Sequence, residues 1–390
     1  MSLFGKSANA GRASWGRRFA ACFLSICLLA VSSSSFAGKS YAYFAVGKVP
    51  ATKLTLNPST PSVVLMGGGP EVDEAFTWMI QRAGVAPGTG GRFVVIRATG
   101  TDAYNPYIYY SDANNTTSTT IAPDYIGGAA LGLSSVETLI IPSLAAANDA
   151  FVNSVVANAN AVWIAGGDQS DYIKYWKGTA LEKTLNTLMS ANIPIGGTSA
   201  GLAVLGNFDF AALNGAVTSS QALANPYNKY MTLDPSPLSG TPFLASPGLT
   251  HTVVDAHFGE RDRMGRLLAF VARLVAPTSS NGTTLGCPGG VLTSAAARGI
   301  GVDIETALLV QGNGTGLPYT GKTVGLKSVY FIKPSISPTS CAAGKPLGFS
   351  SIQVLRAPQG ASFDLTNWTG TGTSYTLDVV NGALTSASPY

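Results

Sequence analysis

Residues 193–204 read I-P-I-G-G-T-S-A-G-L-A-V. A short apolar run ends in two glycines, a serine follows, and an apolar run with helical character begins at Ala200. Ser199 is flanked two residues away on each side by Gly197 and Gly201. This is the form of a nucleophile elbow, in which a strand turns sharply into a helix and small residues are needed where the two approach each other. The serine hydroxyl then projects from the turn, and the N–H of Ala200 at the helix start can face a developing oxyanion. The plain alternative is a glycine-rich βα turn in which Ser199 is only a helix N-cap.

A serine nucleophile needs a base, an acid that orients the base, and a second oxyanion donor. The chain has two histidines, His251 and His257. His257 ends the expected strand 250–254 and opens a loop, where an α/β sheet exposes side chains, so it is the expected base. His251 precedes it by six residues and could share its face. Gly166-Gly167-Asp168-Gln169 forms a second glycine loop after an apolar run, and the N–H of Gly167 is the expected second donor. Arg261, Arg263 and Arg266 crowd together in a chain with 11% charged residues. They read either as a solvated helix face or as a clamp on carboxylates, which guanidinium groups bind bidentately. On a helix Arg263 and Arg266 share a face and Arg261 points elsewhere, so at least one of the three is expected to be structural, paired with a nearby acid such as Asp255 or Glu260. Two histidines and few cysteines make a three-ligand zinc site improbable, so neither a metal nor a cofactor is expected.

The elements that must position these groups alternate. Apolar strands are expected at 62–66, 93–98, 136–142, 161–165 and 193–195, with helical spacing at 71–83, 147–159 and 170–191. Continuous apolar strands between helices indicate a mostly parallel sheet covered on both faces, with functional groups gathered at the C-terminal strand edge. Residues 99–124 carry four tyrosines and read as a surface insertion packed by its own side chains, or as a loop on the substrate side. A strand at 250–254, a helix at 260–274 and a strand at 299–311 containing Asp303 and Glu305 follow. Strand alternation would place those two acids on one face. Residues 334–390 read as a small β-rich extension.

Lys6, Arg12, Arg17 and Arg18 precede the apolar stretch 19–31, and Ser35-Phe36-Ala37 has the small-x-small form of a cleavage site. Residues 1–37 are therefore expected to be a signal peptide, residues 38–333 an α/β domain, and the protein secreted, with the periplasm as second choice and no membrane attachment after cleavage. The net charge of +4 resides in that leader, and the remainder has as many acidic as basic residues. This argues against nucleic acid as a partner. Cys287 and Cys341 remain as an even pair in an exported chain, which indicates a disulfide.

Taken in order, Gly-Gly-Asp-Gln at 166–169, Gly-Thr-Ser-Ala-Gly at 197–201, Asp255-Ala256-His257-Phe258 with the three arginines, and Gly-Ile-Gly-Val-Asp at 299–303 resemble the cyanophycinases of the peptidase E-like serine peptidases. The resemblance spans roughly residues 62–310. It implies a flavodoxin-like three-layer α/β/α sandwich with a mostly parallel sheet. It also implies hydrolysis of cyanophycin, a poly-aspartate carrying arginine on each β-carboxyl, to β-aspartyl-arginine dipeptides. It casts Ser199 as nucleophile, His257 as base, and Gly167 and Ala200 as oxyanion donors. It maps Asp168, Gln169, Asp255, Arg261, Arg263 and Arg266 to the substrate pocket. The family's acid commonly follows directly after the Asp of the last motif, where this chain has Ile304. Glu305 is chosen as the acid, with Asp303 and Asp209 as alternatives. An aspartyl dipeptidase and a non-catalytic polymer-binding protein are the rival readings. A homodimer is left open.

Overall fold

The expected alternation of apolar strands and helices appears, around a ten-stranded and a six-stranded sheet, in a computed structural model that describes residues 40–58, 60–110, 125–313 and 318–390. The leader expected at 1–37 and residues 111–124 of the tyrosine-rich stretch lie outside the described residues.

The first six strands are β1 (Ala42–Gly47), β2 (Ser62–Met66), β3 (Arg92–Arg97), β4 (Ser135–Ile140), β5 (Ala161–Ile164) and β6 (Ile195–Thr198). β2 to β6 are parallel, in spatial order β4-β3-β5-β6-β2, and β1 adds antiparallel to β4. These five strands are almost wholly buried because both faces are covered. Val63, Leu65, Val94, Ile96, Val162 and Ile164 pack on one side with the helices Ala150–Ala157, Gln169–Trp176 and Ala180–Ser190. Val64, Met66, Phe93, Val95 and Trp163 pack on the other with the helix Asp73–Arg82. This is the mixed α/β sandwich with a large, mostly parallel sheet that the sequence led us to expect.

The chain then makes a short ribbon, β7 (Asp209–Phe210) with β8 (Leu233–Asp234), before β9 (Thr252–Asp255) opens the second sheet. A hairpin, β10 (Thr278–Ser280) and β11 (Thr283–Leu285), precedes β12 (Arg298–Val302), which runs parallel to β9. β13 (Thr306–Gly312) crosses to the first sheet and pairs antiparallel with β2; β14 (Tyr319–Gly325) follows beside it. β15 (Ser328–Pro334) and β16 (Phe349–Pro358) return to the second sheet, β17 (Ser362–Asp364) and β18 (Thr369–Gly370) extend the first, and β19 (Thr373–Val380) with β20 (Ala383–Leu384) complete the second. The stretch after residue 334 thus supplies strands to both sheets. Cys287 and Cys341 are joined, with Cα atoms 4.9 Å apart.

Three local expectations change. The expected strand 299–311 is two strands in different sheets, so Asp303, Ile304 and Glu305 form the crossover between them and strand alternation does not apply. The helix expected from 260 begins at Met264. The helix expected at 170–191 is broken at Lys177 and Gly178, the latter at φ +75°. Within the tyrosine-rich stretch, Tyr104–Tyr109 form a helix, and the hydroxyls of Tyr104 and Tyr107 donate to the carboxylates of Glu71 and Asp73. Those rings close the start of the Asp73–Arg82 helix from inside; they do not pack only on one another.

Candidate active site

β6 ends at Thr198 and a single helical turn, Ala200–Ala203, begins immediately after Ser199. Ser199 therefore absorbs the whole reversal and sits at φ +54°, ψ −112°, a conformation that costs a side-chain-bearing residue about 1–3 kcal/mol. The flanking glycines are required by contact. A Cβ on Gly201 would lie 1.9 Å from the Ile164 carbonyl oxygen, and one on Gly197 would lie 2.5 Å from the Gly201 backbone. The Ser199 N–H is held by the Met66 carbonyl at 3.1 Å. Its side chain makes no N-cap hydrogen bond, which removes the capping explanation.

The hydroxyl instead meets His257: Oγ to Nε2 is 2.7 Å. His257 lies just past the end of β9, at φ +44°. Its N–H donates to the Gly67 carbonyl at 2.8 Å, and its ring lies over Gly68. A Cβ on Gly68 would come within 2.4 Å of that ring, so the glycine turn after β2 makes room for the imidazole. Burial first, then the Arg261 and Arg263 charges, lowers the His257 pKa to about 4. The ring is therefore neutral near pH 7 and able to take a proton from Ser199 through Nε2. His251 lies at the other end of β9, exposed, with its N–H on the Asn207 side chain. The two histidines do not share a face.

The second glycine loop lies against Ser199: a Cβ on Gly166 would sit 3.5 Å from the Ser199 Cβ. Among the described residues the Gly167 N–H has no acceptor, and the Ala200 N–H is the first of its helix, without an intrahelical partner. Asp168 caps the next helix through the Ser170 N–H at 2.8 Å, and Gln169 Nε2 approaches the Phe210 carbonyl at 3.4 Å. Two supports of this loop escaped the sequence reading. Tyr172 donates its hydroxyl to the Ala165 carbonyl at 2.7 Å, and Arg97 Nη2 reaches the Gly166 carbonyl at 3.5 Å. A lone arginine at the end of an apolar strand was the available signal for the second.

The arginines divide. Asp255 and Arg266 are 2% and 3% exposed and bind each other bidentately, at 2.7 and 2.6 Å. The Arg266 guanidinium also lies 4.9 Å from the Phe210 ring and donates to the Val217 carbonyl. These two residues, to which the resemblance assigned a pocket role, are buried and spend their charges on each other beside the His257 loop. Arg263 donates to the Ala256 carbonyl at 2.7 Å and approaches Asp255 at 3.3 Å. Arg261 is exposed and, among the described residues, carries no ion pair. A turn at 260–262 in place of helix is what separates Arg261 from the other two.

No carboxylate among the described residues hydrogen-bonds His257. Asp303 accepts from the Gly259 and Ser328 N–H groups at 2.8 and 3.3 Å and so ties the His257 loop to β15. Glu305, at φ +55°, donates its own N–H to the Gly68 carbonyl at 2.9 Å, supporting the glycine turn beneath the imidazole. Asp209 is buried opposite Asp234, and burial together with that neighbour holds its carboxyl well above the usual range. Glu260 and Asp255 are the acids whose charge reaches His257. The Glu260 carboxylate accepts from Lys327 and from the Ile304 N–H.

Residues 127–223 match the model of Peptidase family S51. The matched stretch contains the Gly166–Gln169 loop and the Ser199 elbow and ends before His257. A peptidase from an acI-B1 Actinobacterium is structurally similar at 16% identity and a TM-score of 0.43, over 79% of this chain and 98% of that one. A candidate Peptidase E protein from Listeria monocytogenes EGD-e is similar at 13% identity and a TM-score of 0.35, over 68% and 99% of the respective chains. At TM-scores below 0.5 these likenesses say nothing further about this chain. No curated protein matches it significantly.

Proposed function

We propose that the protein is a secreted serine-type exopeptidase that hydrolyses cyanophycin to β-aspartyl-arginine dipeptides. The observation that carries the serine-peptidase reading is the 2.7 Å contact between Ser199 Oγ and His257 Nε2, made between two residues both held at positive φ. Such strain persists only where the surrounding structure over-determines it, and it gathers at functional sites. The match to Peptidase family S51 over the elbow supports the same reading.

In this reaction Ser199 Oγ attacks the scissile carbonyl carbon while its proton passes to Nε2. The carbonyl oxygen becomes an oxyanion facing the Gly167 and Ala200 N–H groups. The intermediate collapses, the C–N bond breaks, and the imidazolium returns the proton to the leaving amine. Water then repeats the sequence on the acyl-enzyme and regenerates Ser199. Arg261, which carries no ion pair among the described residues and is close enough to lower the His257 pKa, suits a substrate carboxylate. The motif order along the chain supports cyanophycin as that substrate.

The test is incubation of residues 38–390 with purified cyanophycin and, separately, with Asp-X dipeptides, with products identified by mass spectrometry. Release of β-aspartyl-arginine supports the proposal, and turnover of dipeptides alone transfers the site to an aspartyl dipeptidase. That no carboxylate among the described residues hydrogen-bonds His257 favours one other reading, a polymer-binding homologue without turnover. Failure of a fluorophosphonate probe to label Ser199 would favour it.

A further inference from the structure

We infer that Arg97 is a positioning residue for the oxyanion hole. It sets the direction of the Gly167 N–H from behind, through the carbonyl of Gly166. The inference rests on the serine-hydrolase reading of Ser199 and goes beyond it, since Arg97 belongs to none of the motifs that suggested that reading.

The argument begins with the peptide unit itself. The carbonyl of Gly166 and the N–H of Gly167 belong to one planar trans peptide and point in opposite directions. Glycine on both sides leaves this unit unusually free to rotate, because neither residue has a Cβ to restrict φ and ψ. Something outside the unit must choose between the orientation that presents the N–H to Ser199 and the one that presents the carbonyl. A carbonyl facing a developing oxyanion would repel it. Arg97 Nη2 lies 3.5 Å from the Gly166 oxygen and is cationic, so it attracts that oxygen and directs the N–H the opposite way. The same positive charge draws electron density toward the carbonyl, which strengthens the N–H as a donor.

The guanidinium is held in place by a built cage. Nε donates to the Thr99 carbonyl at 2.6 Å and Nη1 to the Thr101 carbonyl at 3.2 Å. Between them Gly100 sits at φ +117°, and a Cβ there would come 2.4 Å from the guanidinium carbon. The loop after β3 is therefore folded around this one side chain. Three carbonyl acceptors and no carboxylate face it among the described residues. That is the environment of a cation that orients backbone. Tyr172 fixes the preceding carbonyl, that of Ala165, so the two side chains together define the loop from Ala165 to Gly167.

The alternative occupant of the same charge is a substrate carboxylate, and a carboxylate-free substrate separates the two. Arg97→Met, Arg97→Lys and Gly100→Ala would be assayed with cyanophycin and with p-nitrophenyl acetate, and their folding checked by thermal melting. Gly100→Ala keeps the charge and displaces the guanidinium from its cage. For Arg97→Met and Gly100→Ala, kcat should fall on the order of tenfold to a hundredfold on both substrates, below the full loss of one oxyanion donor. KM should change by less than about twofold, since the interaction matters in the transition state. Arg97→Lys, which keeps a cation, should recover part of the kcat. A rise in KM for cyanophycin with acetate-ester hydrolysis unchanged makes Arg97 a carboxylate ligand and overturns the inference. Folded variants with wild-type kcat on both substrates overturn it as well. A wild-type protein that cleaves the ester but not cyanophycin removes the proposed substrate and leaves the Arg97 test intact on the ester. A wild-type protein inert to ester and fluorophosphonate removes the serine-hydrolase reading, and Arg97's role with it.

Discussion

Ser199 Oγ and His257 Nε2 stand 2.7 Å apart although 58 residues separate them in the chain, and each residue occupies a backbone conformation that favours glycine. The pair is assembled at the junction of the two sheets. Ser199 follows β6 of the first and His257 follows β9 of the second. The end of β2 serves both, since the Met66 carbonyl holds the Ser199 N–H and the Gly67–Gly68 turn holds His257 through a hydrogen bond and close contact.

The strain at Ser199 predicts opposite effects on activity and stability. Ser199→Ala should abolish turnover, by a factor on the order of 10⁴ or more. Ser199→Gly should abolish it equally and stabilise the fold by about 1 kcal/mol, because glycine adopts this conformation freely. Urea denaturation of both variants beside the wild type checks this. A Ser199→Gly protein less stable than wild type would show that the turn is not strained.

The buried, cation-flanked imidazole predicts an acid-shifted pH profile. The folded pKa is about 4 against an ordinary value of 6.5, so the acid limb of kcat/KM should have its midpoint well below pH 6.5. Arg261→Ala removes one of the charges that lower it and should move that midpoint upward. Stability follows with the same sign. Between pH 6.5 and 4 the unfolded chain takes up a proton at His257 that the folded chain refuses, so the fold loses stability as pH falls through this window. His257→Ala should flatten that part of the stability curve.

The arginines should separate into structural and functional classes. Arg266→Ala leaves the buried Asp255 without its bidentate partner and with Arg263 alone at 3.3 Å, and should cost roughly 3–5 kcal/mol of stability. Arg261→Ala should change stability by less than about 0.5 kcal/mol, as for an exposed residue. It should lower kcat/KM on cyanophycin by about 1.5–3 kcal/mol, the range for a hydrogen bond to a charged group. Thermal melts paired with kinetics on the same two proteins check the division. Equal losses of melting temperature in both would refute it.

The Cys287–Cys341 bond closes a loop of 54 residues and ties the segment after the Met264–Leu274 helix to the chain between β15 and β16. Reduction should destabilise the folded protein by about 2–4 kcal/mol. Thiol titration of the unfolded, unreduced chain from residue 38 should find no free thiol. Two free thiols would end this reading.

The layered α/β fold and the sharp turn at Ser199 were legible in the sequence because each depends on local rules. Continuous apolar runs report strands covered on both faces. Glycines two residues either side of Ser199 report a steric requirement inside a single turn, and with two histidines in the chain few imidazoles could meet its hydroxyl. The tertiary structure decided what depends on meeting across distance. Asp303 and Glu305 were read as one strand face, yet the chain leaves one sheet for the other at that point, and their backbone surroundings are set by Gly259, Ser328 and Gly68. Spacing led us to expect at least one structural arginine of the three, paired with Asp255 or Glu260; the fold decided that Arg266 takes Asp255 and that Arg261 stays outside. Arg97 carried no motif at all. Its part comes from the Gly166 carbonyl 69 residues further along, which only the parallel pairing of β3 with β5 brings within reach. Local sterics are written in neighbouring residues, whereas a charge acquires its role from whatever the fold places opposite it.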